Sequence, residues 1–204
     1  KFLPGVVSPL RKADDTELDW VVIRENSEGE YAGLGGRNLS ARGPGNEVAL
    51  QTALFTDKGC ERIMRFAFDL ARTRTVKKVS SVTKSNAQRH GMVLWDEIFF
   101  EVQEQYPEVK TERILVDAMT TRMVLKPGSI DTVVASNLHA DILSDLAAAL
   151  SGSLGIAPTG ATWQWAQPTK LVLQLPADAR YFSVAGLPDA RDATLSDFLA
   201  VAYA

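Results

Sequence analysis

KVSSVTKSNAQRHGMVLWDEIFFEVQEQY, residues 78–106, sets the pattern on which the rest of the chain is read. Lys78–Thr83 reads as a strand. Val93, Leu94, Ile98 and Val102 then recur at helical spacing, which predicts a long helix over Ala87–Tyr106. The alternation continues with a strand over Arg113–Val116, a helix over Met119–Leu125 stopped by Pro127-Gly128, and a strand over Thr132–Ala135. NLHADILSDLAAALSGSLG follows, with Ile142, Leu143, Leu146, Ala149 and Leu150 marking a core helix. Strands alternating with helices imply an α/β layer fold with at least partly parallel pairing.

Upstream, Leu18–Arg24 reads as a buried strand, and NSEGEYAG as a turn into a second one. Residues 33–46 are rich in Gly and polar side chains and form a loop or exposed hairpin, long enough to serve as an arm packing on a partner. Val48–Thr56 is its returning strand. Ile63, Phe66, Ala67 and Leu70 predict a helix over Asp57–Arg74, with Asp57 as the N-cap.

The 204 residues are 46% hydrophobic and 23% charged, enough for a sizeable core and for one domain with an appendage. A net charge of −3 without a Lys/Arg-rich run argues against a nucleic-acid partner. No apolar run approaches the roughly 20 residues of a membrane helix, and KFLPGVVSPLRK has no hydrophobic signal core. The single cysteine, Cys60, forms no internal disulfide and suits a buried thiol in a reducing cytoplasm. After Gly160 the composition changes. Residues 161–204 hold no Glu and no His, with one strand (Leu171–Leu175) and one short helix (Leu195–Tyr203) expected, so a boundary is placed at Pro158–Gly160.

Four groups of residues could carry chemistry. Asp141 and Asp145 lie four apart, on one helix face, where like charges repel by a few tenths of a kcal/mol. With Asp117 at the end of the strand ILVD they could converge on Mg²⁺ or Mn²⁺, hard cations that prefer oxygen ligands. Alternatively, the pair merely favours the positive end of its helix. Lys84, directly after the strand KVSSVT, is a base if burial and a nearby cation lower its pKa, and otherwise a solvated or paired lysine. Tyr31 is a proton donor or a packing residue. Arg24 offers a guanidinium fork to a substrate carboxylate, or a surface salt bridge.

Three separated phrases put these residues in one order. IRENSEGEYAG, SVTKSNAQRHG and LVDAMTTRMVLKPGSIDTVVASNLHADILSDLAAALSGSLGIAPT together resemble the β-decarboxylating dehydrogenases, the isopropylmalate/isocitrate dehydrogenase family, from about Lys1 to Thr159. The wording is most similar to the tartrate and D-malate branch. The resemblance implies an isopropylmalate dehydrogenase-like α/β fold. Residues 1–159 would form a central substrate, metal and dimerisation domain with a mixed sheet and flanking helices, and residues 160–204 an unassigned, divergent tail.

It implies NAD-dependent oxidative decarboxylation of a 2-hydroxy dicarboxylic acid, D-malate or tartrate first, isopropylmalate or isocitrate next. Arg24 would bind a substrate carboxylate, Tyr31 act as general acid and Lys84 as general base. Asn86 would sit by the nicotinamide, and Asp117, Asp141 and Asp145 would hold Mg²⁺ or Mn²⁺. The sites of a homodimer would be shared, Lys84 and Asp117 serving the partner's.

The resemblance also implies an upstream nucleotide-binding half carrying two further substrate arginines, and an adenosine-gripping loop after Ala157-Pro158-Thr159. No stretch of this sequence matches either, so the chain reads as incomplete for catalysis, and a shifted reading frame past Gly160 is one origin for the tail. A catalytically silent dimerisation fragment that keeps the metal ligands is the rival reading. A metal-dependent hydrolase leaves Lys84 and Tyr31 unexplained.

Overall fold

The computed structural model describes residues 7–10, 18–38, 45 and 47–152. The boundary expected at Pro158–Gly160, the elements expected at 171–175 and 195–203, and half of the loop within 33–46 lie outside them. In chain order the elements are β1 (Val21–Arg24), β2 (Gly29–Asn38), β3 (Val48–Leu54), α1 (Asp57–Thr73), β4 (Lys78–Thr83), α2 (Gly91–Gln103), β5 (Lys110–Leu115), α3 (Val116–Leu125), β6 (Thr132–Ala135) and α4 (Asn137–Leu150).

Strands β1, β6, β4 and β5 form one sheet in that order, every pair parallel. The antiparallel pairing expected of a mixed sheet falls instead in a separate two-stranded ribbon, β2 with β3. The main sheet alternates its side chains between two cores. Ile23, Val79 and Val134 face α1 and α2, packing with Met64, Phe68, Met92, Trp95 and Phe99. Val82 and Val133 face α3 and α4, with Met119, Met123 and Leu143. Burial on both faces is what an all-parallel sheet requires.

Local chemistry moves several boundaries from their expected places. Thr56, not Asp57, caps α1: its backbone is extended and its Oγ1 accepts from the Gly59 amide at 3.0 Å. Asp57 sits inside the first turn, where its charge suits the helix N-terminus. Helix α2 begins at Gly91 rather than Ala87. The amides of Ala87 and Gln88 both donate to the Lys84 carbonyl, at 2.9 and 2.8 Å, closing a turn first. Gly91 then passes so close to Phe55 that a Cβ would stand 2.2 Å from its ring.

Strand β5 starts at Lys110, three positions before Arg113, because its polar residues have partners: Glu112 takes Lys78, Ser80 and Arg122. Burial alone would raise the Glu112 pKa, but hydrogen bonds from Arg122, Ser80 and Lys78 prevail and hold it at about 2. The β4–β5 ladder ends at Thr83 opposite Leu115. Beyond it Val116 has no strand partner and the chain turns into α3. Asp117 therefore lies in the first turn of a helix, not at the end of a strand. No helix among the described residues is long and apolar enough to cross a membrane.

Candidate active site

Parallel pairing brings all four strand carboxyl ends to one edge. Arg24 closes β1, Lys84 follows β4, Asp117 follows β5, and Ser136 and Asn137 follow β6. Such an edge is where open α/β sheets place their crevices. Within it the expected residues fall into two groups.

The first group is built on β1, β2 and α4. Arg24 pairs through Nη1 with Asp141 Oδ1, while Tyr31 Oη donates to Asp141 Oδ2 at 3.1 Å. The Arg24 guanidinium also stands 5.5 Å from the centre of the Tyr31 ring. Its Nε and Nη2 donate to Asn137 Oδ1 at 2.9 and 2.7 Å. The hydrogen bond to Asp141, together with that carboxylate's charge, pushes the exposed Tyr31 phenol above its ordinary pKa. It therefore keeps its proton through neutral pH.

The turn joining β1 to β2 is braced by two glutamates. The carboxylate of Glu25, buried, accepts the amides of Ser27 and Glu28 (3.1 and 2.7 Å) and Arg62 Nη2 at 3.1 Å. Glu28 reaches α1, accepting the Thr56 amide at 2.8 Å and its hydroxyl at 2.5 Å. Through these contacts Glu25 and Glu28 fix the turn that presents Arg24 and Tyr31.

The second group is Lys84 with Asp117. Lys84 Nζ donates to Asp117 Oδ1 at 2.5 Å, and this bond holds the exposed Asp117 carboxyl below the usual carboxylate range. Thr120 and Thr121 hydroxyls bond the Asp117 carbonyl at 2.7 and 3.1 Å. The next turn is held from below, where Arg113 Nη1 donates to Ser85 Oγ (3.1 Å) and to Asp96 (2.9 Å). Asn86, beside Lys84, lies exposed in that turn.

Only β6 separates β1 from β4, so the strands that carry Arg24 and Lys84 lie two strand spacings, about 10 Å, apart. No hydrogen bond or ion pair among the described residues joins the two groups. Asp117, Asp141 and Asp145 accordingly do not converge within one chain. Among the described residues no set of three His, Cys, Asp or Glu side chains could hold a metal. Asp141 and Asp145, one turn apart on α4 with Asp145 exposed, supply two oxygen donors on a single face. That half-site suits a hard divalent cation whose remaining positions are filled from elsewhere.

Asn137 escapes the sequence reading. It is buried, and its Nδ2 donates to the Glu28 carbonyl at 3.1 Å. An amide at the first helical position after a strand's carboxyl end is the signal that could have drawn attention to it. His139, two residues on, is also buried, and burial lowers its pKa. Cys60 is an inert thiol: burial, with Glu28, Glu25 and Asp57 nearby, pushes its pKa up to about 12.

Residues 2–171 match the family model described as isocitrate/isopropylmalate dehydrogenase. A probable tartrate dehydrogenase/decarboxylase of Agrobacterium vitis is 60% identical over 159 residues, covering 78% of this chain and 44% of that protein. The D-malate dehydrogenase [decarboxylating] of Escherichia coli (strain K12) is 44% identical, with the same coverage of 78% and 44%. The chain thus spans less than half the length of the curated relatives it matches. Among solved structures, an isocitrate dehydrogenase from Methylococcus capsulatus superposes with a TM-score of 0.63 at 38% identity, over 71% of this chain and 41% of that one.

Proposed function

The chain belongs to the isocitrate/isopropylmalate dehydrogenase family, and on that premise we propose that it serves the NAD-dependent oxidative decarboxylation of a 2-hydroxy dicarboxylic acid, D-malate or tartrate. The observation that carries this reading is the pair of groups at one sheet edge: Arg24 and Tyr31 around Asp141, and Lys84 against Asp117. The names of the relatives favour tartrate or D-malate over isopropylmalate and isocitrate.

Each residue type matches a step. Arg24 grips a carboxylate of the substrate through its guanidinium fork. Lys84 takes the proton of the 2-hydroxyl as C2 loses hydride. The C3–carboxylate bond then breaks, its electron pair stays on the carbon framework, and CO₂ departs. Tyr31 returns a proton to C3 from its phenol hydroxyl. Asn86 would lie by the nicotinamide of NAD⁺, which would supply the hydride acceptor, and Asp141 and Asp145 would hold Mg²⁺ or Mn²⁺, which would supply Lewis-acid stabilisation of developing negative charge. Asp117 would complete the cation's shell in a second copy of the chain, with Lys84 serving that same site.

A homodimer follows from this sharing. Leu50 of the hairpin, Phe100 of α2 and Ile142 of α4 are 69%, 48% and 49% exposed, an unusual display of large apolar side chains that a second copy would cover. The single, buried Cys60 fits a reducing cytoplasm. NADH absorbance with D-malate, tartrate, isopropylmalate and isocitrate, each with Mn²⁺, tests the assignment. Turnover of D-malate or tartrate is expected where a nucleotide-binding half is also present, and turnover of none of the four there overturns the assignment. A second reading for the 204-residue polypeptide, a dimerisation module that keeps metal ligands without turnover, is favoured by the separation of the two groups, which no hydrogen bond or ion pair among the described residues joins. Calorimetry with NAD⁺ on that polypeptide separates the two.

A further inference from the structure

The guanidinium of Arg24 is held along one edge by a single atom. Nε and Nη2, the side-on fork, both donate to Asn137 Oδ1 at 2.9 and 2.7 Å. Asn137 is 2% exposed, and its own amide nitrogen is fixed by the Glu28 carbonyl at 3.1 Å, so the acceptor cannot rotate away. An unrestrained arginine side chain otherwise loses much of its rotamer freedom on binding a ligand. With the side-on fork occupied, only the end-on pair, Nη1 and Nη2, is left to meet an incoming carboxylate, and Nη1 is the atom now turned toward Asp141.

The geometry points to Asn137 as a positioning residue that commits Arg24 to end-on recognition of the substrate carboxylate. The role rests on the dehydrogenase reading above. Asn137 touches neither substrate nor cofactor in this reading; it acts through Arg24. A purely structural role is the competing explanation, since the same side chain ties α4 to the β1–β2 turn through Glu28.

Two substitutions separate these roles in the intact enzyme at saturating Mn²⁺. Asn137→Ala removes the acceptor for Arg24 and the donor to Glu28, whereas Asn137→Asp keeps an acceptor oxygen and loses the donor. A hydrogen bond to a charged group is worth enough that KM for D-malate should rise about tenfold in Asn137→Ala. In Asn137→Asp it should stay within about threefold of the parent, and in both the loss should fall mainly on KM, the pattern of lost ground-state binding.

The Arg24 Nε–H resonance in NMR spectra gives a readout that needs no activity. It should be protected from exchange in the parent and in Asn137→Asp, and lost in Asn137→Ala. Circular dichroism verifies that both variants fold, and the resonance of the Asp variant keeps the question decidable if the Ala variant does not. Equal KM increases in the two variants, or an Nε–H signal indifferent to Asn137→Ala, overturns the positioning role. A parent that oxidises no dicarboxylate, with the resonance behaving as described, sinks the dehydrogenase reading and leaves the anchoring of Arg24 standing.

Discussion

Lys84 and Asp117 meet at 2.5 Å across the carboxyl ends of two neighbouring parallel strands, each just past the last paired residues, Thr83 and Leu115. Exposed ion pairs contribute little to stability, and the Asp117 side chain is 64% exposed, so holding the fold together does not account for the pair. Lys84→Met should leave the melting temperature within about 3 °C of the parent, because a surface pair is all that is lost. The same change should lower kcat for D-malate by about a hundredfold or more, the usual contribution of a positioned base. Paired thermal melts and NADH assays check both halves, and a large drop in melting temperature would recast Lys84 as structural.

The Asp145 side chain has no hydrogen bond or ion pair among the described residues, although it sits one turn from Asp141 on α4. Asp145→Asn removes a ligand charge and a like-charge repulsion together. Mn²⁺ binding followed by electron paramagnetic resonance should become undetectable while stability stays level or rises by a few tenths of a kcal/mol. Unchanged Mn²⁺ binding would mean that the pair serves only its helix.

The two aspartates of α4 were legible because i, i+4 spacing is a property of sequence. Asn137 was not, since its significance comes from Arg24 arriving 113 positions away in the chain, which only the parallel pairing of Arg24 with Ala135 brings about. The alternation of strands and helices was plain wherever apolar residues marked it, as in Lys78–Thr83 and Thr132–Ala135. It blurred where polar partners did the work. The KTE that opens β5 has no apolar signature, and the turn at 84–90 carries residues acceptable to a helix. Asp117 was misplaced by one element because the end of a ladder depends on where the neighbouring strand stops, which the segment itself does not encode.

Glu112 predicts an acid-labile fold. Its folded pKa of about 2 lies below the 4.5 of the free side chain, so it stabilises the protein above pH 4.5 and that contribution is lost as pH falls toward 2. The side chain is 25% exposed; allowing for solvent screening, the contribution is on the order of 1–2 kcal/mol. Glu112→Gln should lower stability by that amount at pH 7, and the difference from the parent should shrink steadily between pH 4.5 and 2. Urea unfolding at several pH values measures it, and a gap that persists unchanged at pH 2 would locate the effect in packing instead of charge.

The hairpin formed by β2 and β3 offers the sharpest test of the dimer, because one atom can undo it. Gly35 has φ 152°, paired with Gln51, and a Cβ there would lie 2.2 Å from the Leu50 carbonyl oxygen. That neighbour is backbone, which cannot swing aside as a long side chain can, and the conformation itself is one that residues with a Cβ rarely adopt. Gly35→Ala must therefore break the pairing around Leu50, whose side chain is 69% exposed in the single chain. The sheet and its two cores involve no residue of the hairpin's outer half, so far-ultraviolet circular dichroism should keep its helical signal. If the hairpin is the arm that grips a second copy, the variant should sediment as a monomer at micromolar concentrations where the parent is a dimer. Activity should fall with dimerisation, because Lys84 and Asp117 would lose the copy whose site they serve. A variant that remains dimeric with its ribbon disrupted would assign the interface to the exposed faces of α2 and α4, around Phe100 and Ile142, and leave the hairpin without a role in assembly.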